Sequence, residues 1–197
     1  MSKRLFDLFW TIPGLLILSP LLVSIAICIK LDSSGPVFFR QTRIGRYGRP
    51  FQVMKFRTMV IDAEKRGLRI TVGHDPRITR SGRFLRKYKL DELPQLFNVF
   101  KGEMSLVGPR PEVPEYVDCY PAGLRDKVLS VKPGITDRAS IEYRDENSLL
   151  AGSLDPARTY REEILPVKLR YYAQYADEQS LWLDFRLILR TLLAIMR

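Results

Sequence analysis

Histidine and cysteine are nearly missing from this 197-residue chain, which carries one histidine, His74, and two cysteines, Cys28 and Cys119. A single histidine excludes a Ser-His-Asp triad and a zinc site built on two histidines. The cysteines have no metal-ligand spacing and suggest no disulfide framework, which favours a reducing compartment. His74 lies in a loop-like stretch and is assigned no role. Acidic residues are also scarce, with 22 Asp and Glu against 32 Lys and Arg, a formal charge of +10. That imbalance predicts an anionic partner: nucleic acid, anionic lipid or phosphorylated small molecules. No internal repeat, low-complexity tract or recognised nucleic-acid motif is present. The length is enough for one domain with a sizeable core and does not require two.

The 46% hydrophobic content is unevenly placed. Leu5 to Ile29 form one apolar run whose only charge is Asp7. As a straight helix these residues would extend roughly 38 Å, long enough to span a bilayer. No small-residue cleavage site follows, which argues against a cleaved signal peptide. Ser19-Pro20 sits mid-run, where the proline removes the hydrogen bond to the Leu16 carbonyl and Ser19 can bond back to a carbonyl one turn earlier. Cations flank both ends: Lys3 and Arg4 before, Lys30, Arg40, Arg43, Arg46 and Arg49 after. Positive flanks favour the cytoplasmic side, so a bent segment entering and leaving one leaflet satisfies both. The residues alone leave a spanning and a re-entrant segment both open.

Asp32-Ser33-Ser34-Gly35-Pro36 reads as a turn cluster. Pro36 to Arg40 and Phe51 to Arg57 read as strands joined through Gly45 to Pro50, a hairpin. In the second strand Lys55 and Arg57 fall on one face by the two-residue period. They are either a solvated face or a phosphate-facing pair. Met59 to Arg69 reads as a short helix and Thr71 to Asp75 as a loop. Arg77, Arg80, Arg83 and Arg86 recur every third residue, a solvated helical face or a phosphate grip.

The central stretch is RFLRKYKLDELPQLFNVFKGEMSLVGPRP, Arg83 to Pro111. Asp91 and Glu92 follow a run of cations, Pro94 lies in the first turn of a short helix, and Gly102 stands where it should stop. Asp91 could simply cap that helix and Glu92 favour its positive end. Two carboxylates among excess positive charge also suit chemistry on an anionic substrate.

The residues Lys89 to Val99 and Gly102 to Pro111 resemble the bacterial sugar transferase family, the polyprenyl-phosphate hexose-1-phosphate transferases or monotopic phosphoglycosyl transferases. The resemblance extends to Ser19-Pro20, Gly35 to Gln41, Lys55 to Met59 and Val131 to Thr136. A chain of this length with one apolar segment looks like the minimal catalytic form. The resemblance implies transfer of a sugar-1-phosphate from a UDP-sugar donor to undecaprenyl phosphate at the bacterial cytoplasmic membrane, with Mg²⁺ as cofactor and no nucleic acid. It makes Asp91 the nucleophile and Glu92 a Mg²⁺ partner beside it. Lys55, Arg57, Arg86 and Arg110 match motif cations expected at the substrate, with Gln95, Pro109 and Pro111 in the same motifs. It also implies a re-entrant helix broken at Ser19-Pro20. A carboxylate nucleophile facing a diphosphate does need cations and a metal to neutralise the field.

The expected fold is α/β, mostly helical with a small antiparallel sheet element: residues 1–31 as the re-entrant helix and 32–197 as a cytoplasmic catalytic domain. Beyond Thr136 the chain departs from the commonest family pattern, with Asp137-Arg138-Ala139-Ser140 and then Ile141 to Asn147, which leaves the sugar unspecified. Tyr172 stands where an Asp is often found. Pro166 opens a helix to about Asp177 with Tyr171, Tyr172 and Tyr175, an aromatic cluster expected in the core. Ser180 to Met196 reads as a helix suited either to the core or to the membrane interface. The rival from another class is a non-catalytic basic protein holding anionic lipid.

Overall fold

The computed structural model describes residues 2–63, 75–143 and 146–196. The apolar run becomes α1 (Lys3–Asp32), 30 residues and so about 45 Å of helix. It stays helical across both Pro13 and Pro20 rather than breaking at Ser19-Pro20. The physical reason is local repair. Pro20 has no N–H for the Leu16 carbonyl, and the Ser19 hydroxyl donates to that carbonyl at 2.8 Å. Much of the surface of α1 is bare apolar side chain, with Leu16 and Ile17 70% and 77% exposed.

Both ends of α1 are nevertheless fastened to the rest of the chain. At its start, Lys3 Nζ lies 2.6 Å from buried Asp184 and donates to the Val107 carbonyl at 3.1 Å. Arg4 donates to the Val99 and Phe100 carbonyls, and buried Asp7 accepts from the Ser105 hydroxyl and the Leu106 N–H. At its finish, Asp32 accepts from the Ser81 N–H and hydroxyl, both at 2.8 Å. Ile25 and Ile29 pack with Phe56 and Leu85.

The hairpin forms as its Gly- and Pro-rich turn predicts: β1 (Phe38–Ile44) pairs antiparallel with β2 (Pro50–Phe56). Met59 is not helical; it makes a single antiparallel bridge to Ile78, and a turn carries the chain on to Ala63. The remainder of the helix expected to Arg69, and the loop expected from Thr71, His74 included, lie outside the described residues up to Asp75. Next come α2 (Arg80–Lys87), a 3₁₀ turn (Leu90–Glu92) and α3 (Gln95–Lys101), which ends at Gly102 with φ +89°.

A second sheet was not expected. β3 (Ser105–Val107) pairs in parallel with β4 (Gly134–Thr136). Between and after them lie α4 (Pro114–Val117), α5 (Ala122–Leu129), α6 (Arg138–Glu142), α7 (Glu146–Ala151) and α8 (Pro156–Thr159). A π turn (Tyr160–Ile164) leads into α9 (Leu165–Glu178), and α10 (Leu181–Met196) completes the order. The largest core gathers Val117, Val128, Leu150, Ile164, Leu165 and Tyr172 around α9. A smaller one, Val53, Val99 and Met104, lies between β2 and α3. Tyr172 and Tyr175 are buried as core aromatics. The fold is therefore mostly helical with two small sheets.

Candidate active site

The 3₁₀ turn that carries Asp91 and Glu92 is produced by a backbone reversal. Lys89 adopts a left-handed conformation, φ 56°, directly after α2, and the chain turns back on itself. This also removes the capping role considered for Asp91. The following helix starts at Gln95, Pro94 occupies its N-cap, and no side chain bonds to that cap.

Glu92 is the fixed member of the pair. Lys55, arriving on β2, places Nζ 2.6 Å from Oε1, and Arg110 places Nη2 2.7 Å from the same oxygen. Arg110 Nη1 reaches Oε2 at 3.3 Å. Burial alone would raise the Glu92 pKa, but the charges and hydrogen bonds of Arg110 and Lys55 outweigh it and hold the carboxyl well below its usual range. The ionised form of Glu92 is therefore the favoured one. The same pairing pushes Arg110 well above its ordinary value, whereas desolvation wins at Lys55 and lowers it.

Asp91 is the contrasting member. It is 9% exposed, and among the described residues no side chain donates a hydrogen bond to its carboxylate. Burial first, and the neighbouring Glu92 charge second, push its pKa up; Lys55, Arg86 and Lys89 act in the opposite direction. One acid is thus locked and ionised, and its neighbour is left with unclaimed oxygens in a cationic field. That division suits a nucleophile beside an electrostatic partner.

The other expected site residues divide. Arg86 comes to the dyad: its Nε donates to the Thr58 hydroxyl at 2.9 Å and its charge is felt by Asp91. Arg57 does not share its work with Lys55. Strand β2 ends at Phe56, and beyond it the Arg57 guanidinium turns to the end of α1, donating to the Ser33 carbonyl at 2.8 Å and to the Ser34 carbonyl. Gln95 is buried in the first turn of α3, and Pro109 and Pro111 are buried on either side of the partly exposed Arg110.

Three groups missed in the sequence hold Arg110 in place. Arg43 Nη1 donates to the Pro111 carbonyl at 3.0 Å and lies 3.6 Å from Glu112. The Ile44 N–H donates to the Glu112 carbonyl at 3.0 Å, and the Tyr160 hydroxyl donates to the Glu112 carboxylate at 2.6 Å. On the other side, Gly108 and Pro109 exchange backbone bonds with Thr136 and Gly134. The adjacency of Glu112 to Pro111 was the only available signal. Its partners Arg43 and Tyr160 come from elements far from it in the sequence, Tyr160 at a separation of 48 residues. Asp137, in the divergent segment, is buried and caps α6 by accepting from the Ser140 N–H and hydroxyl, with burial pushing its pKa up. The Tyr172 hydroxyl is buried with no hydrogen-bond partner among the described residues.

Among the described residues no group of three or more His, Cys, Asp or Glu side chains gathers as a metal site. Two adjacent carboxylates, one of them open, are nonetheless the donor set with which Mg²⁺ is bound when substrate phosphates supply the remaining ligands.

The bacterial sugar transferase family matches residues 1–197. Among curated relatives, the chain is similar to the UDP-N-acetylgalactosamine-undecaprenyl-phosphate N-acetylgalactosaminephosphotransferase of Aeromonas hydrophila, with 36% identity over 98% of this chain and 43% of the relative. It is 38% identical to the UDP-glucose:undecaprenyl-phosphate glucose-1-phosphate transferase of Escherichia coli, over 96% of this chain and 39% of the relative. A protein of that same name from Caulobacter vibrioides is 37% identical over 97% of this chain and 68% of its own length. The chain thus spans about two-fifths of the first two relatives, which are named for different sugars. A match over its whole length, together with a paired acid dyad in a basic site, places this chain in the bacterial sugar transferase family.

Proposed function

We propose that this chain transfers a sugar-1-phosphate from a UDP-sugar to undecaprenyl phosphate at a membrane surface, through a covalent intermediate on Asp91. The observation that carries the reading is the asymmetry of the dyad: Glu92 is bonded to two cations, and Asp91 is buried with no side-chain hydrogen bond among the described residues. An Asp91 carboxylate oxygen attacks the sugar-bearing phosphorus of the donor. The bridging P–O bond breaks and UMP leaves with the electron pair. The resulting acyl phosphate is attacked by an oxygen of the lipid phosphate, which forms the lipid diphosphate sugar and returns the carboxylate. Splitting the transfer lets a water-soluble and a lipid substrate use one site in turn.

In this scheme Glu92 does not react. It holds Lys55 and Arg110 at the mouth of the site, where their remaining donors meet phosphate oxygens, and Arg86 supplies a third cation. Asp91 and Glu92 would hold Mg²⁺, which when bound neutralises diphosphate charge and polarises the phosphorus.

The membrane arrangement follows from α1. Its middle exposes Ile12, Leu16, Ile17, Leu21 and Val23, which water does not favour. Its two ends are tied to one domain, so a bilayer that received the middle would have both ends on one side. That supports a segment that enters and leaves the same, cytoplasmic, leaflet without crossing. Trp182, Leu189, Leu192 and Leu193 on α10 are exposed beside it and suit the interface.

The test is a single isosteric substitution. Asp91→Asn in membrane-embedded protein, given a panel of UDP-sugars with Mg²⁺ and undecaprenyl phosphate, should lose UMP release by about a factor of 10⁴ or more. Mass spectrometry of the parent enzyme with donor alone should show one sugar phosphate on the peptide containing Asp91. UMP release from Asp91→Asn at the parent rate would sink the proposal.

A further inference from the structure

Between Asp75 and Asp91 the sequence has six cations and no acid. The structure divides them. Arg77 is paired with Asp75 at 2.6 Å, and Arg86 turns toward the dyad. Arg80, Arg83, Lys87 and Lys89 are exposed. In their midst α2 shows two large aromatic side chains to solvent, Phe84 58% and Tyr88 41% exposed, one helical turn apart with ring centroids 4.9 Å from each other. Lys87 Nζ lies 5.4 Å from the Tyr88 ring centre.

The opposite face of α2 explains why the helix cannot turn this surface inward. Leu85 is buried against Ile25, Ile29 and Phe56. Gly82 lies so close to Thr58 that a Cβ there would fall 2.1 Å from the Thr58 carbonyl oxygen. The Asp32 bond to Ser81 sets the start of α2 at the point where α1 ends. If α1 occupies a leaflet, α2 lies at headgroup height. Cations that ring a pair of aromatic side chains are the complement of an anionic bilayer surface, where rings enter the acyl boundary and cations meet phosphates.

We propose that the outer face of α2, made of Arg80, Arg83, Phe84, Lys87 and Tyr88, is a seat on anionic phospholipid that fixes the height of Asp91 above the membrane. The inference rests on the membrane arrangement proposed above. Asp91 follows Lys87 by four residues, so a lift of α2 carries the dyad away from a lipid-bound acceptor. Each cation near an anionic surface changes the ratio of seated to lifted states by about a factor of five.

The test reads the height of α2 directly. In a chain with Cys28→Ser and Cys119→Ser, Phe84→Cys is labelled with a polarity-sensitive fluorophore and placed in nanodiscs of phosphatidylcholine with or without phosphatidylglycerol. Anionic lipid should shift the emission to the blue and shield the dye from aqueous iodide. Arg80→Gln, Arg83→Gln and Lys87→Gln together should abolish the lipid dependence while the chain remains disc-bound through α1. Identical spectra in the two lipids, or an undiminished shift in the triple variant, overturn the seat. So does a shift produced in phosphatidylcholine discs by inorganic phosphate, which would assign the cations to a soluble anion. The dye reports without turnover. In the labelled chain that keeps its cations, an absent shift with intact UMP release refutes the seat alone, and an intact shift without UMP release refutes the transferase reading alone.

Discussion

The bond between Lys55 and Glu92 lends itself to a quantitative prediction. The two are 2.6 Å apart, with their side chains 18% and 15% exposed. At an effective dielectric constant near 20 the bare attraction is about 6 kcal/mol. Desolvation of both groups offsets much of it, and replacing only one partner of a buried pair leaves the other stranded. Lys55→Met does not strand Glu92 fully, because Arg110 stays 2.7 Å from the same oxygen. Glu92→Gln leaves Lys55 and Arg110 converging on a neutral amide, and so repelling. We expect Lys55→Met to destabilise by about 2 kcal/mol, somewhat below the usual range for a severed buried pair. The double variant should recover part of the summed loss, with a coupling energy of about 2 kcal/mol. Thermal unfolding in mild detergent, followed by tryptophan fluorescence, should show the Lys55→Met midpoint lowered by about 4–8 °C. The pair would be reduced to a crystal-like coincidence of two solvated groups if the cycle closed with a coupling energy below about 0.5 kcal/mol.

Other outcomes follow from the same geometry. The Asp91 carboxyl is raised by burial and by Glu92, so its nucleophilic form is lost as pH falls through a midpoint above the ordinary value of about 3.9. The acid limb of kcat/KM should therefore lie above that value, and a limb at or below it would contradict the assignment. The Glu92 carboxyl is depressed, so its contribution to stability is present above its unfolded value of about 4.3 and lost only as pH falls through the lower folded value. Gly82→Ala should destabilise by about 3 kcal/mol, since the new methyl group meets backbone rather than a yielding side chain; an unchanged unfolding midpoint would show that α2 can shift freely. Asp184→Asn removes the charge partner of Lys3 at a fully buried position and should cost about 3 kcal/mol, with the first turns of α1 gaining hydrogen exchange before the rest.

What could be read in the sequence was what local chemistry decides. The hairpin was legible because Gly45, Gly48 and Pro50 interrupt two runs of alternating character. The stop at Gly102 was legible because a left-handed residue is needed there. The setting of Asp91 and Glu92 among cations was legible in the run of basic residues that precedes them. What escaped depended on distant contacts. Strands β3 and β4 are three residues each and meet only because α4 and α5 fold between them, so no periodicity could reveal them. The pairing of Lys55 with Arg57 by strand period failed one residue past the end of β2, where the backbone no longer alternates. The capping role considered for Asp91 failed because the left-handed Lys89 inserts a tight turn before the helix. Glu112 and Arg43 brace Arg110 through tertiary bonds that neither residue's neighbours announce.

The fastening of α1 at both ends has a consequence for the order of events during synthesis. Lys3, Arg4 and Asp7 find their partners on α3, β3 and α10, and Asp184 is translated long after Lys3. In the membrane arrangement proposed above, the apolar segment meets lipid while its first turn still has no protein partner, and long-range closure comes late and slowly. The clasp formed by Lys3, Asp184 and Tyr175 joins the start of α1 to α9 and α10, so this part of the fastening waits until both of those helices have folded.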